Sequence, residues 1–330
     1  MRKFIECIPN FSEGRDEVII QQLAKTVENS DIELLSVESD ASYNRTVITF
    51  AGSASEVKEA AFAAIKTAAR IINMTQHKGQ HPRIGATDVC PFVPISSNDE
   101  DCIRLAHELG RQVGSELDIP VYIYGQAATN TQRRELSAIR KGEYEGLKEK
   151  LKQPEWQPDY GTAVFNAQSG ATLIGVRQLQ VAYNVNLNTD DVKMASKIAG
   201  IIRQSGRIVN GVRNPGTLIG VRAMGILLES HGIAQVSLNL DDLASTPLHV
   251  AYEEVCRQAE SMGYQVTGSE VCGLVPKKSL VDAGRYWVSQ SSLSLSAESE
   301  LIRLSIDRLG LDQLYHFNPQ KKVLEYALGI

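Results

Sequence analysis

The sequence predicts an α/β (α+β) protein of two subdomains, each a mixed β-sheet covered by helices on one face. Its 330 residues suffice for two separate cores at roughly 100–200 residues per domain. Apolar periodicity runs β-α-β-β-α in the first half and β-α-β-β-α-β in the second, the order of a ferredoxin-like sandwich. The hexapeptide TLIGVR also occurs twice, at 172–177 and 217–222. It marks either paired strands or coincidence, since no longer period supports a repeat.

Residues 3–9 read as a short strand and 10–14 as a polar turn. Val18, Ile19, Leu23 and Val27 give 16–29 a helical period. Strands over 33–38 and 46–50 follow, joined by the turn-rich SDASYN. Val57, Ala61, Ala64, Ile65, Ala68 and Ile72 form one face of a helix over 55–73. The apolar run 89–93 supplies a strand, 102–117 an amphipathic helix and 119–124 a further strand. Residues 140–170, with charge clusters, Pro154, Pro158 and little periodicity, read as a functional segment or a linker. Beyond it, 179–187 alternates as a strand, and Asn188-Thr189-Asp190 supplies the N-cap of a helix over 192–203. Strands at 223–228, 235–240 and 265–274 and helices at 248–262 and 298–309 complete the second half. Asn318-Pro319 is the cap-plus-N1 pair that opens a last short helix.

Composition narrows the function class. A formal net charge of −5 argues against a nucleic-acid binder, which shows a basic excess over a whole face. It leaves room for an anionic small substrate in a local basic cleft. The N-terminus MRKFIECIPNFSEG holds no signal-peptide apolar core, and no stretch approaches the roughly 20 apolar residues of a membrane span. Five scattered cysteines (Cys7, Cys90, Cys102, Cys256, Cys272) without a CxxC pair fit reduced thiols in the cytoplasm.

The densest group of functional side chains is TQHKGQHPRIGATDVCP at 75–91. His77 and His81 are four apart, the spacing of helical zinc ligands, but Gly79 lies between them, Pro82 follows and no intervening Glu exists. Proline turns His81 away from the helical region, so no metal is expected here. The same proline fixes the backbone of His81 as extended, which suits a general acid–base whose ordinary pKa lies near 6.5. A histidine that merely hydrogen-bonds its loop is the alternative. In ESDASYNR at 38–45, Glu38 or Asp40 can orient the imidazole if this turn meets the loop; otherwise it is a solvated turn. The small-residue run Gly161-Thr162-Ala163-Val164-Phe165-Asn166-Ala167-Gln168-Ser169-Gly170 suits a flat ligand lying close to the backbone, or an inter-domain connector. It lacks a dinucleotide fingerprint.

Together, ECIPNFSEGR at 6–15, NRTVITF at 44–50, HKGQHPRIGATDVCPFVP at 77–94, PVYIYGQAA at 120–128 and AIRKGEYEGL at 138–147 resemble the folate-dependent formiminotransferase domain. The resemblance continues through DYG at 159–161, SGAT at 169–172, AQVSLNL at 234–240 and GLVP at 273–276. It implies subdomains near 1–178 and 179–330, a ligand cleft between them and a homodimer. It implies His81 as the catalytic histidine of the Gly-x-His-Pro-Arg motif, folate contacts along 161–170, and a supporting acid at Glu38, with Asp40 where some members carry one. Formimino transfer between N-formimino-L-glutamate and tetrahydrofolate, giving 5-formiminotetrahydrofolate and L-glutamate in histidine degradation, is the activity it implies. Arg45, His77, Lys78, Arg83 and Arg177 are candidates for substrate contacts, because such cations pair with carboxylates. With no cyclodeaminase domain in the chain, a separate cyclodeaminase is expected downstream. Transfer of a formyl group or from formiminoglycine, a metal-dependent amidohydrolase using His77, His81 and Asp88, and a non-catalytic folate-binding module are the rival readings.

Overall fold

Proline has no N–H to give to a ladder, and Pro9 divides the first strand into β1 (Ile5–Cys7) and β2 (Asn10–Phe11). The computed structural model describes residues 3–41, 43–79 and 81–330. They fall into two compact units, Met1–Gln178 and Leu179–Ile330. In the first, β1 and β2 are followed by α1 (Glu17–Glu28), β3 (Glu33–Asp40), β4 (Arg45–Gly52), α2 (Ala54–Ile71) and β5 (Thr87–Pro94). Then come α3 (Asp99–Leu117), β6 (Val121–Gly125), α4 (Leu136–Arg140), α5 (Glu143–Lys150) and β7 (Thr172–Val176).

β1 and β2 lie between β4 and β5, all antiparallel, and β3 pairs with the far side of β4. β7 adds parallel to β5, and β6 adds parallel to β7. The sheet is therefore mixed, with β3 and β6 as its ends. Asp16 starts α1 by accepting from the N–H groups of Val18 and Ile19, the usual role of an Asp cap. Leu23 and Val27 of α1, Val57, Ala61 and Ala64 of α2, and Leu109 and Val113 of α3 pack on Phe50, Phe92, Ile123 and Val176.

Strand neighbours point to opposite faces, so Tyr122, Tyr124 and Leu173 face away from that core. They are covered by Ile139, Leu147 and Leu151 from α4, α5 and the turn after them. Residues 140–170 are thus not a linker. Their helices were hidden in the sequence because α5 has eight residues and buries only Tyr144, Leu147 and Lys150, too few for a visible period.

The second unit contains β8 (Val181–Leu187), α6 (Val192–Ile202), an exposed hairpin of β9 (Arg207–Val209) and β10 (Val212–Asn214), and β11 (Val221–Leu228). It continues with β12 (Ile233–Leu240), α7 (Leu248–Ser261), β13 (Val266–Cys272) and α8 (Lys277–Ser289). It ends with α9 (Glu298–Leu309), α10 (Pro319–Lys322) and α11 (Leu324–Ala327). Its strands run β11-β12-β8-β13, antiparallel throughout. This is the arrangement β3-β4-β1/β2-β5 again, so both units share the ferredoxin-like pattern and the first extends it by two parallel strands. Asp191, one residue beyond the predicted cap, closes the N-terminus of α6, and Asn318 caps α10 ahead of Pro319. The two TLIGVR copies play different parts: the first forms buried β7, whereas in the second only Val221 and Arg222 belong to a strand. Coincidence accounts for the repeat.

One carboxyl sits against this logic. Glu6 of β1 is 3 % exposed, and its Oε2 has no hydrogen-bond partner among the described residues. Burial pushes its pKa up to about 7, with Arg177 opposing. A folded-state pKa raised above the unfolded one costs stability increasingly as pH climbs from about 4.5 to 7, then levels off, at roughly 1.4 kcal/mol per unit. Glu6→Gln is therefore expected to raise the melting temperature at pH 8 and leave it unchanged near pH 4.5. Equal effects at both pH values would show that Glu6 is not an uncompensated acid.

Candidate functional site

The loop from α2 to β5 carries both candidate histidines, and it is held by the β3–β4 turn. Asn44, in the left-handed region at φ 50, accepts the Gly14 N–H on Oδ1 (2.9 Å) and donates from Nδ2 to the Lys78 carbonyl (3.0 Å). Gly79 passes so close that a Cβ there would meet the Tyr43 carbonyl oxygen at 2.2 Å. His77 is occupied at both nitrogens. Nε2–H donates to the Asn44 carbonyl (3.0 Å), and Nδ1 accepts from Arg83 Nε (3.2 Å). Burial lowers its pKa, although the bond to Asn44 opposes the shift. Arg83 in turn forks onto Glu145, with contacts of 2.8 and 2.6 Å, and reaches Glu143 at 3.0 Å.

His81 is placed differently. Its Nδ1 lies 2.9 Å from Arg45 Nη1 and 2.7 Å from the Pro82 carbonyl oxygen, while Nε2 contacts none of the described residues by hydrogen bond. Burial, then the Arg45 charge, pulls its pKa below the ordinary value, so the ring is neutral at pH 7. Arg45 cannot swing away: Nε donates to Asn10 Oδ1 (2.9 Å) and Nη1 to Asp88 Oδ2 (2.8 Å). Asp88 has no exposure. It also takes an ion pair from Arg140 Nη2 on Oδ2 and the Ile84 N–H on Oδ1 (2.9 Å). Burial alone would raise the Asp88 pKa, but Arg45 and Arg140 outweigh it and hold the carboxyl below its usual range.

The carboxylate that reaches His81 by hydrogen bonds, through Arg45, is Asp88. Among the described residues β3 pairs only with β4, and it exposes both Glu38 and Asp40. The Asp40 carboxylate accepts the Tyr43 N–H (2.7 Å), closing the turn. Neither hydrogen-bonds His81 among the described residues. Of the cations expected to meet substrate, Arg45 and Arg83 are engaged by the protein's own acids. Arg177 Nη1 donates to the Gln178 carbonyl. Lys78 is exposed on a pocket of about 400 Å³ shared with Gly79, Arg83, Gly142, Glu143 and Glu145.

Residues 161–170 run as a strap beside the histidine loop. The Ala86 N–H donates to the Ser169 carbonyl and the Met74 N–H to the Gln168 carbonyl. Tyr144 Oη–H donates to the Ala167 carbonyl, and its ring meets Phe165 at 5.4 Å between centroids. Thr162, Ala163 and Val164 are exposed. Among the described residues no group of three or more His, Cys, Asp or Glu side chains is arranged to hold a metal ion.

The family profile described as "Formiminotransferase domain, N-terminal subdomain" matches residues 4–177, and "Formiminotransferase domain" matches 182–329. The chain belongs to the formiminotransferase domain family. The formimidoyltransferase-cyclodeaminase of Gallus gallus is 46% identical over 330 residues, covering 99% of this chain and 60% of its own. The chain spans about 60% of the length of such bifunctional relatives. The glutamate formimidoyltransferases of Streptococcus pyogenes and Thermoplasma acidophilum are 42% and 43% identical. They align over 87% and 86% of this chain and 94% and 92% of theirs.

Within this formiminotransferase domain the residues that sequence reasoning missed are Asn10, Asn44 and Arg140, with Glu143 and Glu145. Arg140 lies in the AIRKGEYEGL stretch, but nothing local marks its role, which comes from its ion pair with Asp88 of β5. Because Gly79 abuts backbone rather than a yielding side chain, Gly79→Ala should destabilise the fold by about 1–3 kcal/mol, the usual cost of overpacking. Urea unfolding reads this directly, and an unchanged midpoint would mean the loop stands off the β3–β4 turn.

Proposed function

We propose that this formiminotransferase moves a formimino group from N-formimino-L-glutamate to tetrahydrofolate, with His81 as the proton shuttle. The observation that carries the reading is the contrast within one loop. His77 spends both nitrogens on the fold, whereas His81 keeps Nε2 unengaged among the described residues. Two relatives covered over nine-tenths of their length bear the name glutamate formimidoyltransferase, which supports the choice of donor.

Tetrahydrofolate is the acceptor substrate. The strap offers it exposed small residues with the aromatic pair Tyr144 and Phe165 beside them, features that suit a flat ring. The donor's amidine carbon is electrophilic when protonated, so no oxyanion hole is required. His81 Nε2, with Nδ1–H directed at the Pro82 carbonyl, takes the proton from the attacking secondary amine as the new C–N bond forms. It returns that proton to the glutamate nitrogen as the old C–N bond breaks. The net change is amine plus amidine giving amine plus amidine, with no proton gained or lost. Lys78, the exposed cation of the loop, is the candidate for a substrate carboxylate. On the same reading the enzyme works in the cytoplasm, where free thiols persist, as a homodimer in histidine degradation.

His81→Ala should fold normally and lose at least ~10² in turnover, the scale of a general acid–base. His77→Ala should cost less turnover and more stability. A spectrophotometric assay offering formiminoglutamate and formiminoglycine separately decides both points. Near-wild-type transfer by His81→Ala would remove the mechanism, and preference for formiminoglycine would change the donor.

A further inference from the structure

We propose that Asp88 and Arg140 are positioning residues that act on His81 through Arg45, fixing which Nδ1 partner prevails and how readily the ring releases a proton. The inference rests on His81 being the proton shuttle and concerns what tunes it. Arg45 has one orientation available, because Asn10 holds Nε and Asp88 takes one hydrogen of Nη1. The remaining Nη1 hydrogen points at His81 Nδ1, 2.9 Å away.

A guanidinium can only donate, so this contact favours the tautomer with a bare Nδ1 and a proton on Nε2. The Pro82 carbonyl, 2.7 Å from the same atom, can only accept and favours the opposite tautomer, whose bare Nε2 is a base. The shuttle keeps a hydrogen on Nδ1 in both halves, so the Pro82 contact supports it and the Arg45 contact competes with it. The imidazolium between them has Pro82 as its acceptor at Nδ1 and Arg45 as a like charge beside it. The balance is set one shell further out. Two guanidiniums around one carboxylate leave a net positive charge, so a proton held by His81 is repelled. Without Asp88 the repulsion would grow; without Arg140 it would shrink. Among the described residues the groups facing His81 are Arg45 from β4, Asp88 from β5, Arg140 from α4 and the Tyr43 ring at 6.0 Å.

The test is a titration of the His81 ring by nitrogen-15 NMR on the full chain, with the resonance assigned by its loss in His81→Ala. Arg140→Gln should raise the midpoint by about half a unit or more, and Asp88→Asn should lower it comparably, as expected for one charge at short range. Arg140→Lys, which keeps the charge, should titrate like the wild type. A role in merely holding α4 would lower activity in both Arg140 variants without moving the midpoint. Should Asp88→Asn fail to fold, the two Arg140 variants carry the test. A midpoint unmoved by Arg140→Gln overturns the proposal. The acid limb of kcat/KM against pH should shift with the ring. If the ring shifts and the limb does not, the tuning stands and the reading of His81 as the shuttle falls.

Discussion

Asp88 is an ionised side chain without exposure, and removing a carboxylate from water costs several kcal/mol even after relaxation, roughly as much as a small domain can spare. It is tolerable only because two guanidiniums and the Ile84 N–H converge on it. That requirement reaches outward. Arg45 must leave the β3–β4 turn pointing inward, Arg140 must be brought over β5 by α4, and the chain at Ile84 must approach its own strand. The loop bearing His81 is therefore anchored at its C-terminal end by a charge the fold cannot leave unpaired. Pairing of this kind is weak evidence for stability. What it contributes is geometry, since a buried ion satisfied on three sides has few alternative arrangements.

The N-terminal part of the loop is anchored by backbone contact instead. Asn44 holds Lys78, His77 holds Asn44 and Arg83, and Gly79 lies against the Tyr43 carbonyl. The strap closes the other side, where a Cβ at Gly85 would meet the Ser169 carbonyl oxygen at 2.6 Å. Small residues here are a condition of packing, not of flexibility. Two segments that read as loops in the sequence are thus each other's wall, and the imidazole of His81 is aimed by Arg45 and the Pro82 carbonyl at Nδ1.

The fold was largely legible in the sequence because long helices and alternating strands carry their periods openly. α2, with seven buried residues among eighteen, could hardly be read otherwise. What stayed hidden was short or non-periodic: α4 and α5, the β9–β10 hairpin, and α8, whose buried positions include Ser279 and Gly284 beside Leu280 and Trp287. Within the site, a proline neighbour and a dense loop singled out His81. The resemblance points to Glu38 or Asp40 for its acidic support, and Asp88, only seven residues from His81, carries no sequence mark of that role. The buried partner is Asp88, which sits inside a strand where alternation predicts nothing about charge. Arg140 lies fifty-two residues from it, a separation no local pattern bridges. Long-range ion pairs are fixed by topology, and topology has to be assembled before they can be seen.

The sign of the charge cluster bears on the chemistry. A protonated amidine would draw on a carboxylate, yet Asp88 is fully committed to two guanidiniums. The net positive charge near His81 therefore does not serve to hold the amidinium. On the proposed substrate the two carboxylates of formiminoglutamate outweigh its single amidinium charge, so the donor as a whole is drawn towards a positive cluster. The same charge makes an imidazolium at His81 a poor resting state, and a shuttle must give up its proton as easily as it took it. On the proposed substrate and mechanism, one buried carboxylate shared between two guanidiniums reconciles attraction of an anionic donor with rapid release of a proton.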